Sequence, residues 1–147
     1  MAPAMKGWTV EALEAKGVKV REQGLRVIAT PADVVALTLP LPPSVNMAWI
    51  NVPGKGRCRS PEYRRWHKLA FDELTLQHPG RIAGRYAIVI NVGRIKRRCD
   101  LDNRIKCLSD LLSGVVIDDD AMCERLSIGW ADDVPAERVV VEVRRAA

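Results

Sequence analysis

Arg85-Tyr86-Ala87-Ile88-Val89-Ile90-Asn91-Val92-Gly93-Arg94-Ile95-Lys96-Arg97-Arg98-Cys99-Asp100-Leu101-Asp102-Asn103-Arg104-Ile105-Lys106-Cys107-Leu108-Ser109-Asp110-Leu111-Leu112-Ser113 changes periodicity halfway along. Tyr86, Ile88, Ile90 and Val92 recur at every second residue, the period of a half-buried strand. Leu101, Ile105, Leu108 and Leu112 recur at three and four, which predicts a helix from about Asp102 to Ser113 with Gly114 as its stop. A basic loop joins the two. Upstream, Val34 to Leu39 alternates as a strand, with Val35, Leu37 and Leu39 on one side. Ser60-Pro61 opens a helix, hydroxyl as N-cap and proline in the first turn, that runs to about Gln77 and buries Tyr63, Trp66, Ala70 and Leu74. His78-Pro79-Gly80 ends it. Leu41 to Ser60, rich in Pro, Gly, Asn and basic residues, reads as a long loop, a length that usually serves function. Downstream, Leu126, Ile128 and Trp130 alternate on one strand and Val139, Val141 and Val143 on another, with Asp132 to Pro135 as the turn between them. Strand, helix, strand, helix, strand, strand is the order of a mixed α/β or α+β domain, a small mixed β-sheet packed with helices.

The chain has 147 residues, enough for one domain with a substantial core. Residues 1–33 read as an N-terminal appendage. It holds a short helix over Trp8 to Lys16, capped by Thr9 and stopped by Gly17, and a small hairpin around Gln23-Gly24. Thr30-Pro31-Ala32 marks the boundary with the main domain, residues 34–147. No apolar run reaches the roughly 20 residues of a membrane span, and the N-terminus lacks a signal-peptide core. The expectation is a cytoplasmic protein. The four cysteines form no C-x-x-C pair, which speaks against a zinc finger and against a disulfide scaffold.

Charge is distributed unevenly. There are 23 Lys and Arg against 18 Asp and Glu, a net charge of +5. Lys55 to Lys68 holds six basic residues against Glu62 alone, and Arg94 to Lys106 holds six more against Asp100 and Asp102. Such clustering is the footprint of a polyanion binder. Lys55, Arg57, Arg59, Arg94, Lys96, Arg97 and Arg98, together with Asn46 in the preceding loop, are the candidate nucleic-acid contacts. Trp49 is either a stacking platform for an unpaired base or a packing anchor.

Acids interrupt this basic surface. On an extended backbone Asp100 and Asp102, two residues apart, would project to one side. Lys106, one helical turn past Asp102, can reach back toward them. Two carboxylates about 4 Å apart repel by roughly 4 kcal/mol at an effective dielectric near 20, and a hard divalent cation removes that cost. Each residue also has an ordinary reading: Asp102 as a helix N-cap, Asp100 as a partner of Arg97 or Arg98, Lys106 as an i,i+4 partner of Asp102. Asp118-Asp119-Asp120, an acidic turn after a β-branched run, supplies the third carboxylate that such a metal site would need. Carboxylates beside clustered Arg and Lys are what metal-assisted hydrolysis of a phosphodiester requires.

Three elements, Leu39-Pro40-Leu41-Pro42-Pro43-Ser44-Val45-Asn46, Arg98-Cys99-Asp100-Leu101-Asp102-Asn103 with Lys106, and Ile117-Asp118-Asp119-Asp120, resemble RusA-type Holliday junction resolvases, in order and spacing, from about Val34 onward. The resemblance implies a small homodimeric, Mg²⁺-dependent endodeoxyribonuclease (Mn²⁺ as a substitute) that cuts four-way DNA junctions in recombination and repair. It implies that Asp100, Asp102 and Asp120 are the catalytic, metal-binding carboxylates, with Asp119 as the alternative third ligand, and that Lys106 is the lysine of the catalytic site. A two-fold dimer also suits a substrate that must be cut at two symmetry-related phosphates, and the strands between Leu126 and Val143 are the candidate interface. Two other classes compete: an architectural DNA-binding protein without turnover, which gains nothing from carboxylates near phosphate, and a metal-dependent nucleotide phosphohydrolase, which has no need of so many clustered cations.

Overall fold

The structure, a computed structural model, describes residues 30–147; the expected N-terminal helix and hairpin lie outside the described residues. Val34–Pro40 forms β1, and its alternation buries Val35, Leu37 and Leu39 as anticipated. The following stretch is not one long loop. Val45–Ala48 makes a single helical turn, α1, and Trp49–Val52 (β2) and Gly56–Arg59 (β3) pair as an antiparallel hairpin. Gly54 and Gly56 provide the positive φ values, 79° and 75°, that let the chain reverse there. With only four residues per strand and no buried residue on them, the hairpin carries no periodic apolar signal to read.

Pro61–Leu76 is α2. Ser60 caps it, its Oγ accepting from the Tyr63 N–H at 3.1 Å, and Tyr63, Trp66, Ala70 and Leu74 form its buried stripe. Past its end, Gln77 turns back onto β1: its side-chain amide donates to the Thr38 carbonyl at 2.7 Å and accepts from the Thr38 N–H at 2.8 Å. That interaction satisfies part of an edge strand's backbone. β4 is Tyr86–Gly93, α3 is Ile105–Leu112, β5 is Cys123–Ala131 and β6 is Arg138–Arg145.

The main sheet is mixed, in the order β1-β6-β4-β5. β6 lies antiparallel between β1 and β4, and β5 runs parallel to β4. Register aligns the core in rows: Leu37, Val141 and Ile90 in one, Val35, Val143 and Ile88 in the next, Leu39, Val139 and Val92 in a third. All nine are at most 4% exposed, whereas Ala36, Val89 and Asn91 on the opposite face are exposed. Leu108, Leu111 and Leu112 of α3 and the α2 stripe complete the core.

β5 and β6 are therefore not a hairpin, contrary to the expectation for Asp132 to Pro135. The connection crosses the end of β4 instead, passing so close to Gly93 that a Cβ there would lie 1.9 Å from the Pro135 carbonyl oxygen. Alternation alone cannot distinguish a neighbour strand from one reached by a crossover. β5 is left at the edge, with Leu126 39% exposed.

Candidate active site and nucleic-acid interface

The segment between β4 and α3 departs from the extended form expected of it. Leu101 has helical dihedrals (φ −61°, ψ −42°), and Asp102–Arg104 is a 3₁₀ turn that runs directly into α3. Residues two apart on helical backbone do not face each other, so the extended-chain argument for convergence of Asp100 and Asp102 does not hold. Both are exposed, and neither makes an ion pair or side-chain hydrogen bond with any other described residue. Asp102 caps nothing with its side chain: the residue before the 3₁₀ turn is Leu101, and no side-chain cap bond forms.

Lys106 also has different partners from those expected. It does not reach back to Asp102. Its Nζ lies 2.9 Å from Asp110 Oδ1, one turn further along α3, and 2.7 Å from Asp120 Oδ2, from the acidic triplet. These contacts, first that to Asp120 and then that to Asp110, raise the lysine's proton affinity, so the ammonium is charged throughout the neutral range. In return Lys106 holds the Asp120 carboxyl below the usual carboxylate range.

The triplet, costly as three adjacent like charges, is divided among three jobs. Asp118 accepts from the Gly84 N–H at 3.0 Å and from Arg81 Nε and Nη2 at 3.0 and 2.7 Å, bonds that lower its proton affinity. Asp119 Oδ1 accepts from the Ala121 N–H at 2.9 Å and caps the 3₁₀ turn Asp120–Met122. Asp120 pairs with Lys106. Asp118 is thus committed to the fold and Asp119 to its own turn, while Asp120 is tied to α3 through the lysine.

A metal bound here would find a donor set of hard carboxylate oxygens, chemistry that suits Mg²⁺ or Mn²⁺ rather than zinc. Among the described residues no three His, Cys, Asp or Glu side chains stand close enough together to hold an ion. What the fold does join is the third acid to the lysine of α3, across 14 residues of sequence.

Two residues of this region escaped the sequence reading. Asp110 shares Lys106, a partnership whose only sequence signal is the i,i+4 spacing forward from the lysine. Arg104 donates from Nη1 to the Pro42 carbonyl at 2.5 Å, and its Nε is buried without a partner. It pins the Pro-rich segment before α1 against the 3₁₀ turn, a long-range contact with no local signature.

The candidate DNA contacts differ in how they are held. Asn46, Lys55, Arg57, Arg59, Arg94, Lys96, Arg97 and Arg98 are all exposed. Arg57 and Arg59 lie over the Trp49 ring, 5.1 and 5.8 Å from its centroid, and Arg59 also lies over Tyr63 at 5.1 Å. Trp49 itself stacks on Tyr63 at 6.3 Å, so it is a packing anchor that orders two guanidinium groups. Arg94 pairs with Asp132 at 3.0 Å, and Arg97 forms a forked pair with Glu137 that lowers the Glu137 proton affinity. Lys55, Lys96 and Arg98 carry no ion pair with another described residue. Two arginines of the second cluster are thus tied to the β5–β6 connection.

Among the described residues no helix is long and apolar enough to cross a membrane. No curated protein matches the chain significantly. The model of one protein family, Endodeoxyribonuclease RusA, matches residues 40–144, which spans the Pro-rich segment, the site around Lys106 and the acidic triplet. With well over half its length covered, the chain belongs to the RusA endodeoxyribonucleases, metal-dependent nucleases that resolve Holliday junctions.

Proposed function

We propose that this nuclease cuts four-way DNA junctions with Mg²⁺, or Mn²⁺ in its place, held by Asp100, Asp102 and Asp120, with Asp119 as the alternative third ligand. The observation that carries the reading is the 2.7 Å contact between Lys106 and Asp120, which links the acidic triplet to the helix that begins beside Asp102. When bound, a divalent ion neutralises phosphate charge and lowers the pKa of a coordinated water. The chain's own residues do the rest. Lys106 presents a permanent ammonium to the charge that develops on the phosphate. Lys55, Arg57 and Arg59 on the hairpin, Arg94, Lys96, Arg97 and Arg98 on the loop after β4, and Asn46 beside them hold the junction arms through their phosphates.

The protein works as a homodimer in this reading, because one chain offers one acidic group of this kind and a junction must be cut at two symmetry-related strands. β6 lies inside the sheet, which leaves β5 alone of the two strands considered from sequence as the contact between copies. Its open edge and exposed Leu126 support that placement.

Cleavage of a labelled four-way junction with Mg²⁺ and with EDTA tests the proposal. Asp100→Asn, Asp102→Asn and Asp120→Asn each abolish cutting and leave junction binding intact or tighter. Near wild-type cleavage by any two of them removes the metal-site assignment.

A further inference from the structure

We infer that Asp110 is a positioning residue that keeps the Lys106 ammonium at the site when Asp120 turns to a divalent ion; this rests on the reading of Lys106 and Asp120 given above. One ammonium is shared by two carboxylates of different origin, Asp110 Oδ1 at 2.9 Å and Asp120 Oδ2 at 2.7 Å. Asp120 comes from a short 3₁₀ turn and is itself a proposed ligand. A cation held by that carboxylate would compete with Lys106 for it. Asp110 stays in place, because it rides on the same helix as Lys106.

That helix is firmly seated. Cys107, Leu108, Ser109, Leu111 and Leu112 are buried, and they fix the backbone that carries both charged residues. Without Asp110, a long side chain that is 56% exposed has nothing on α3 to stop it turning to solvent.

Helix stability is a poor explanation for the pair. An acid placed after lysine at i,i+4 is the weaker order of the two, and an acid in the last turn opposes the helix dipole. Exposed pairs of this kind add little to a fold. What the arrangement does achieve is a fixed direction for the ammonium.

The test uses the full chain, with and without Mg²⁺ alone as the ligand probe. With ¹³C-lysine in all seven lysines, the Lys106 Cε signal is identified by its loss in Lys106→Arg. Wild-type protein keeps that signal away from the exposed lysines after Mg²⁺ is added; in Asp110→Asn it collapses onto them. In single-turnover cleavage, Asp110→Asn loses roughly tenfold in rate with junction affinity unchanged, as expected for an outer partner of a site. Asp110→Glu restores most of the rate, and Asp110→Asn combined with Lys106→Ala is no slower than Lys106→Ala. Additive losses in the double variant, or a Lys106 signal in Asp110→Asn that Mg²⁺ does not move, overturn the inference. Should Lys106→Ala cut at the wild-type rate, the role given to Lys106 has failed instead, and the lysine signal alone then decides whether Asp110 positions it.

Discussion

Replacing Asp118 by alanine separates the acid that serves the fold from those proposed to serve chemistry. Asp118 bridges the Gly84 N–H and the Arg81 guanidinium, joining the segment before β4 to the turn that follows Ile117. Hydrogen bonds to charged groups contribute about 1.5–3 kcal/mol. Here the side chains are 26% (Arg81) and 36% (Asp118) exposed, so water recovers part of the loss, and about 1–2 kcal/mol is the expected cost. For a domain of this size that lowers Tm by roughly 3–8 °C. The effect has a pH signature. Because these bonds hold Asp118 below its usual 3.8, its contribution is complete above that value and is lost as pH falls through the depressed one. Wild type and Asp118→Ala should therefore differ in thermal unfolding at pH 7 and converge in strong acid. Junction cleavage at 25 °C, well below either transition, should remain within a few-fold of wild type. An Asp118→Ala protein of full stability that cannot cut DNA would refute the division of the triplet.

Gly93→Ala places a methyl into the Pro135 carbonyl, and backbone must move to admit it; a loss of about 3 kcal/mol or more by urea unfolding is expected, at the upper end for overpacking. Lys106→Ala should slow single-turnover cleavage by ~10²-fold or more while changing junction affinity little. Lys55→Ala should reduce the slope of log affinity against log salt by about 0.9. Arg97→Ala should reduce it less, because that guanidinium must first be shared with Glu137. Wild-type slopes in both would remove these loops from the DNA surface.

The strands and helices with a buried stripe were legible because each stripe is a local, periodic signal: Tyr86 to Val92, Leu101 to Leu112, Tyr63 to Leu74. The crossover of the 132–137 connection was not, since its cause is a long-range approach at one glycine. The β2–β3 hairpin hid for the opposite reason, having no buried face to create a pattern. At the site, residue types and motif spacing singled out Asp100, Asp102, Asp120 and Lys106 as candidates, and the fold brings two of them, Lys106 and Asp120, into contact. The convergence of Asp100 and Asp102 was misjudged because the backbone at Leu101 is helical rather than extended, and Lys106 turns to Asp110 and Asp120 rather than back to Asp102. Asp118 has the same residue type as Asp119 and Asp120; the resemblance left it out of the ligand set, and only its tertiary contacts with Arg81 and Gly84 show what it does instead.

In the proposed mechanism Asp100, Asp102 and the end of the acidic triplet act together on one divalent ion. Titration of Mn²⁺ into the DNA-free protein, followed by loss of the free-ion EPR signal, tests it most directly. Wild type should take up one ion per chain, displaced by excess Mg²⁺, and Asp100→Asn, Asp102→Asn and Asp120→Asn should each weaken that uptake by at least tenfold while Asp118→Asn does not. Uptake unchanged in the first three variants, with junction cleavage lost in all of them, would contradict the claim.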